Sequence, residues 1–96
     1  MSARLDFLLS NSETIKAIAA RHKAISISVF GSVARGEDGP DSDVDFLVEF
    51  NNGVSVLDWL LLSEELEKFL NSSVDVVSMN GLKPRDIDIR REAVLL

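Results

Sequence analysis

Three observations predict an α/β (α+β) fold. Ile25-Ser26-Ile27-Ser28-Val29-Phe30 alternates apolar and polar side chains with the two-residue period of a half-buried strand. The run from Asp43 to Phe50 repeats that alternation, and Val74 to Met79 is a shorter β-branched run. Between the second and third runs lies the longest stretch of helical periodicity, Val54 to Leu70. The expectation is one small domain over residues 1–96: a mixed sheet of three to four strands, with helices packed mainly on one face.

The elements follow in order. Ser12, with Glu13 after it, reads as a helix N-cap and first-turn acid, and Ile15, Ile18, Ala19 and His22 then recur at helical spacing. Leu5 to Leu9 forms a separate short turn of helix, divided off at Ser10-Asn11. His22, the single histidine, stands beside Arg21 and Lys23 at the helix end, where a cation complements the dipole, and is read as structural. The first strand closes at Gly31-Ser32. The second puts Val44, Phe46, Val48 and Phe50 on one face and Asp43, Asp45, Leu47 and Glu49 on the other.

Asn51-Asn52-Gly53 turns the chain into the long helix, whose Trp59, Leu62, Leu66 and Phe69 make a stripe. The first half of that helix is apolar nearly all round. Leu57, Leu60 and Leu61 are therefore either drawn deeper into the domain or form an exposed patch of the kind that marks an interface. Ser72-Ser73 breaks the helix, Asn80-Gly81 turns the chain after the third strand, and Pro84 starts a final helix running to about Val94.

Composition narrows the function. At 46% hydrophobic residues, the 96-residue chain can bury a core. It has no cysteine, which excludes disulfides and thiolate metal sites. No apolar run reaches the roughly 20 residues that span a bilayer, and the start lacks a secretory h-region, so a cytoplasmic setting is expected. Ten basic residues against sixteen acidic give a formal charge of −6, which suits neither a nucleic acid backbone nor an anionic membrane. Lys83, Arg85, Arg90 and Arg91 cluster, but interleaved with Asp86, Asp88 and Glu92 they read as a solvated helix face.

The chemistry concentrates in one stretch: Gly31-Ser32, ten residues, then Asp43-Val44-Asp45. Strand periodicity turns Asp43 and Asp45 to the same side, where a divalent cation would relieve their repulsion. Asp75 faces away from Val74 and Val76 as Asp43 and Asp45 face away from Val44 and Phe46, so all three acids can share one side of the sheet. Oxygen-only ligation suits Mg²⁺ or Mn²⁺. Gly31 allows close backbone approach to a phosphate, and Ser32 opens a helical turn. Arg35 either steadies a triphosphate or pairs with a nearby acid and holds the loop. Gly36 is placed to end the turn in a left-handed conformation, and Ser42 orders the backbone ahead of Asp43.

Gly31-Ser32-Val33-Ala34-Arg35-Gly36-Glu37 followed by Ser42-Asp43-Val44-Asp45-Phe46-Leu47-Val48 resembles the signature of minimal nucleotidyltransferases, the smallest members of the DNA polymerase β-like superfamily. The resemblance implies transfer of AMP from ATP to an acceptor hydroxyl. It implies catalytic and metal-binding roles for Asp43, Asp45 and Asp75, and nucleotide binding by Gly31, Ser32, Arg35 and Ser42. It further implies a partner: such domains pair as antitoxins with HEPN-domain toxins and modify a toxin tyrosine. The chain itself has no tyrosine, which excludes tyrosine self-modification. The rival readings are a catalytically silent antitoxin that masks its partner, and a transferase acting on a small molecule.

Overall fold

The computed structural model describes residues 3–81 and 86–96. Helices α1 (Ala3–Ser10) and α2 (Ser12–Arg21) lead into strand β1 (Ala24–Phe30) and the single-turn helix α3 (Gly31–Arg35). Strand β2 (Val44–Phe50), helix α4 (Val56–Leu70) and strand β3 (Val74–Ser78) follow. A 3₁₀ turn (Met79–Gly81), helix α5 (Ile87–Glu92) and strand β4 (Val94–Leu95) complete the chain. The expected helix start at Pro84, and Lys83 and Arg85 of the basic cluster, lie outside the described residues. No helix among the described residues is long and apolar enough to cross a membrane.

The sheet has the order β3-β2-β1-β4. β1 is antiparallel to β2 and to β4, whereas β2 and β3 are parallel, with α4 as the crossover that parallel neighbours need. Register aligns Val29 with Phe46 and Phe46 with Val76, so these three share a face. That face packs on Leu8 of α1, Ile15, Ile18 and Ala19 of α2, and Leu62 and Leu66 of α4. Phe46, Ile15, Leu62 and Leu66 are fully buried. Each such side chain contributes about 1.5–3 kcal/mol by leaving water.

Several boundaries differ from expectation. Asn11, not Ser12, precedes α2, and its side chain donates back to the Phe7 carbonyl at 2.8 Å, bracing the break between α1 and α2. β2 begins at Val44, whose N–H donates to the Ser73 carbonyl at 3.0 Å, so Asp43 stands just ahead of the strand. Helix α4 starts at Val56, because Ser55 and Asp58 form a reciprocal capping box. Its core contacts are Leu62 and Leu66; Trp59 is half-buried, its indole N–H donating to the Val76 carbonyl at 2.9 Å, and Phe69 stacks on Phe7 at the rim.

The C-terminus departs most. The final helix stops at Glu92 and Val94 belongs to a fourth strand. Val94 and Leu95 pair with Val29 and Ser28, and the Leu96 N–H reaches the Ile27 carbonyl at 3.1 Å. This pairing covers the edge that β1 would otherwise present unpaired. The acid-bearing face is also less open than alternation suggested, since Leu47 and its cross-strand partner Ser28 are both buried there.

Candidate functional site

The site grows from the end of β1. Phe30, the last residue of that strand, is the cross-strand partner of Asp45. The chain then turns at Gly31 with φ +74°, in the left-handed region, and a Cβ there would collide with the Asp45 carboxylate. Glycine is therefore required by conformation, and a side chain there would also have to push the Asp45 carboxylate aside. One turn of helix follows, closed by Gly36 at φ +73°, as the expected left-handed stop. The loop back to β2 is ordered locally: the Ser42 hydroxyl accepts from the Gly39 N–H at 2.8 Å.

Parallel register places Asp45 directly beside Asp75, so these two carboxylates leave the same face of neighbouring strands. Asp43 adds its charge from just before β2. Partial burial raises the Asp45 pKa above its ordinary value, and the charges of Asp75 and then Asp43 push it the same way. Arg35 opposes that rise and Glu92 adds to it. Asp43 and Asp75 are exposed; Asp45 is half-buried between them and the Gly31 turn.

Of the two roles open to Arg35, the structure shows the pairing. Its guanidinium donates from Nη1 to both Glu92 oxygens, at 3.2 and 3.0 Å, and its Nε lies 3.5 Å from Glu37. Those acids raise the Arg35 pKa further, Glu92 foremost.

Two residues outside the motif also belong to this neighbourhood. Glu92 accepts from the Gly31 N–H at 3.0 Å as well as from Arg35. Arg4, on α1, donates to the Ser42 and Pro40 carbonyls and to the Ser72 hydroxyl, tying the loop before Asp43 to the segment before Asp75. The charge pattern places Glu92 on a solvated helix face, whereas the structure turns it to the Gly31 turn and Arg35. For Arg4 no local signal existed.

Among the described residues, no three His, Cys, Asp or Glu side chains stand close enough to cage a cation by themselves. The donor set nonetheless fits a hard ion. It is all oxygen, burial and the neighbouring carboxylates raise the pKa of its central acid, and Mg²⁺ commonly takes only one or two carboxylates, leaving its other positions to water and phosphates.

Comparison with known proteins shows the family to which the chain belongs. The family profile described as "Polymerase beta, Nucleotidyltransferase" matches residues 13–94. A Methanocaldococcus jannaschii protein that carries the name protein adenylyltransferase is 45% identical over 67 residues, covering 70% of this chain and 72% of the relative. Protein adenylyltransferase MntA of Thermococcus cleftensis is 42% identical over 79 residues, 74% of this chain and 80% of the relative. A solved minimal nucleotidyltransferase superposes with a TM-score of 0.86 at 44% identity, over 100% of this chain and 97% of that one. The MNT antitoxin in complex with the tri-AMPylated Shewanella oneidensis HEPN toxin is similar in fold, with a TM-score of 0.67 at 19% identity over 91% of this chain and 69% of the other.

Proposed function

Because the chain belongs to the polymerase-β-type nucleotidyltransferase family, as a minimal member akin to the protein adenylyltransferases, we propose that it transfers AMP from ATP to a tyrosine hydroxyl of a HEPN-type toxin and acts as that toxin's antitoxin. The observation that carries this is the register of Asp45 beside Asp75, with Asp43 at hand, against a glycine turn that admits no side chain. The naming of the MntA relative and the AMPylated toxin in the Shewanella oneidensis complex support the choice of acceptor.

The residues divide the work. Asp43, Asp45 and Asp75 would hold Mg²⁺ or Mn²⁺, which when bound neutralises phosphate charge and polarises the α-phosphate. Gly31 gives the triphosphate a close approach to the backbone, Ser32 offers its hydroxyl, and Arg35 lends positive charge at the loop's end. Ser42 keeps the loop ordered before Asp43. The acceptor oxygen attacks the α-phosphorus, forming the O–P bond as the bond to the β-phosphate oxygen breaks. Pyrophosphate leaves, and the acceptor proton passes to Asp75. Residues 1–96 act as one domain in this reading, working in the cytoplasm where ATP is abundant, on a protein acceptor and not on nucleic acid or a membrane.

The test is intact mass spectrometry of the co-purified neighbouring HEPN-domain protein after incubation with ATP and Mg²⁺. The expected result is a mass gain of one or more AMP groups on that protein, mapped to tyrosine. Tight binding with no mass gain would leave the silent, masking antitoxin. Transfer only to a small molecule would leave the remaining rival.

A further inference from the structure

Glu92 lies 61 residues beyond Gly31, yet its carboxylate accepts from the Gly31 N–H at 3.0 Å and from Arg35 Nη1 at 3.2 and 3.0 Å. It is delivered rigidly. Two residues later β4 begins, and Val94 and Leu95 are paired with Val29 and Ser28 of β1, the strand that ends immediately before Gly31. The carboxylate is thus tied from behind by the sheet and in front by the turn and the guanidinium, and its side chain is 29% exposed.

We propose that Glu92 is a positioning residue of the nucleotide site, holding the Gly31 turn and the Arg35 guanidinium in the arrangement that receives the triphosphate. This rests on the nucleotidyl-transfer reading above. Two groups that reading turns toward phosphate share one anchor, which the motif does not contain. An exposed arginine at the end of a single-turn helix otherwise samples many rotamers, and a charge-assisted pair with both carboxylate oxygens selects a few. The β4 pairing two residues away anchors the backbone that carries Glu92, and the Gly31 N–H and the Arg35 guanidinium hold its carboxylate at the other end. The C-terminal segment is therefore part of the site, and α5 is the arm that carries Glu92 to it.

Binding of the non-hydrolysable analogue AMP-PNP with Mg²⁺, measured by calorimetry on the full chain, tests the assignment. Glu92→Gln keeps an oxygen for the Gly31 N–H but loses the charge for Arg35, and should weaken binding about tenfold with a melting temperature near the parent's. Glu92→Asp should fall between the two. In an Arg35→Gln background, Glu92→Gln should add little, because its effect runs through Arg35. Unchanged affinity in Glu92→Gln, or a full additive loss in the Arg35→Gln background, would overturn the assignment while leaving the transfer activity intact. Tighter binding would also overturn it, making Glu92 an anion that phosphates displace. Should Glu92→Gln unfold, Glu92→Asp decides, and parental affinity in that variant overturns the role. A parent chain that binds no AMP-PNP removes the nucleotidyl-transfer reading, and the role of Glu92 falls with it.

Discussion

Asp45 concentrates the electrostatic cost of the site, because partial burial and two neighbouring carboxylates act on it in the same direction. An acid whose pKa is raised by folding binds more protons in the native state than in the unfolded one. Stability therefore falls as pH rises through that interval, and the penalty is complete above the folded pKa. It is absent below the ordinary carboxylate range. Asp45→Asn should consequently melt at or above the parent temperature at neutral pH without metal or nucleotide, and that advantage should vanish in acid. The same variant should lose AMP transfer by ~100-fold or more, since a carboxylate that would hold the divalent ion is gone. A clearly lower neutral-pH melting temperature, followed by circular dichroism, would show that Asp45 supports the fold instead. The shared face of Asp45 and Asp75 was legible because strand periodicity is local: a period of two tells which face a residue joins. The partner of Arg35 was not legible, because an ion pair across 57 residues leaves no mark in either segment.

At the scale of one element, α4 shows where a periodic pattern stops being informative. Its start is expected at Val54, but the cap sets it at Val56, Ser55 accepting from the Asp58 N–H at 3.2 Å and Asp58 accepting from the Ser55 N–H at 2.9 Å. Its buried stripe was half right, with Leu62 and Leu66 in the core and Phe69 at the edge. The surplus leucines had two possible fates, and the structure exposes them: Leu57 is 62% and Leu61 41% accessible. Exposure of apolar residues breaks no folding rule, so sequence alone could not choose. Leu57→Glu combined with Leu61→Glu should change unfolding free energy by less than about 1 kcal/mol, as surface substitutions do, and the chain should stay folded. A urea titration that shows a loss of several kcal/mol would return both leucines to the core. The final helix failed for a related reason. Arg90, Arg91 and Glu92 are good helix residues, but pairing with the free edge of β1 outweighed continuation of the helix past Glu92.

Across the whole molecule, the parallel pairing of β2 with β3 and the antiparallel return of β4 bring acids, glycine turn and Glu92 together from distant parts of the chain. A ligand that bridges these parts should stabilise the fold by mass action. AMP-PNP with Mg²⁺ at about a hundredfold above its Kd should raise the melting temperature by more than about 5 °C, and Mg²⁺ alone by much less, because phosphates supply much of the ion's ligand set. An unchanged melting temperature with both present would argue against an assembled site. The sequence by itself determined the first three strands, the order of the elements up to β3, the glycine turn and the shared face of Asp45 and Asp75. Each depends on steric and periodic rules that act within a few residues. Tertiary structure alone decided the fourth strand, the burial of Leu47 on the acid face, the exposure of the α4 leucines and the partners of Arg35 and Arg4. Those outcomes turn on which surfaces meet after the chain has folded back on itself, and contacts between segments dozens of residues apart impose no local pattern.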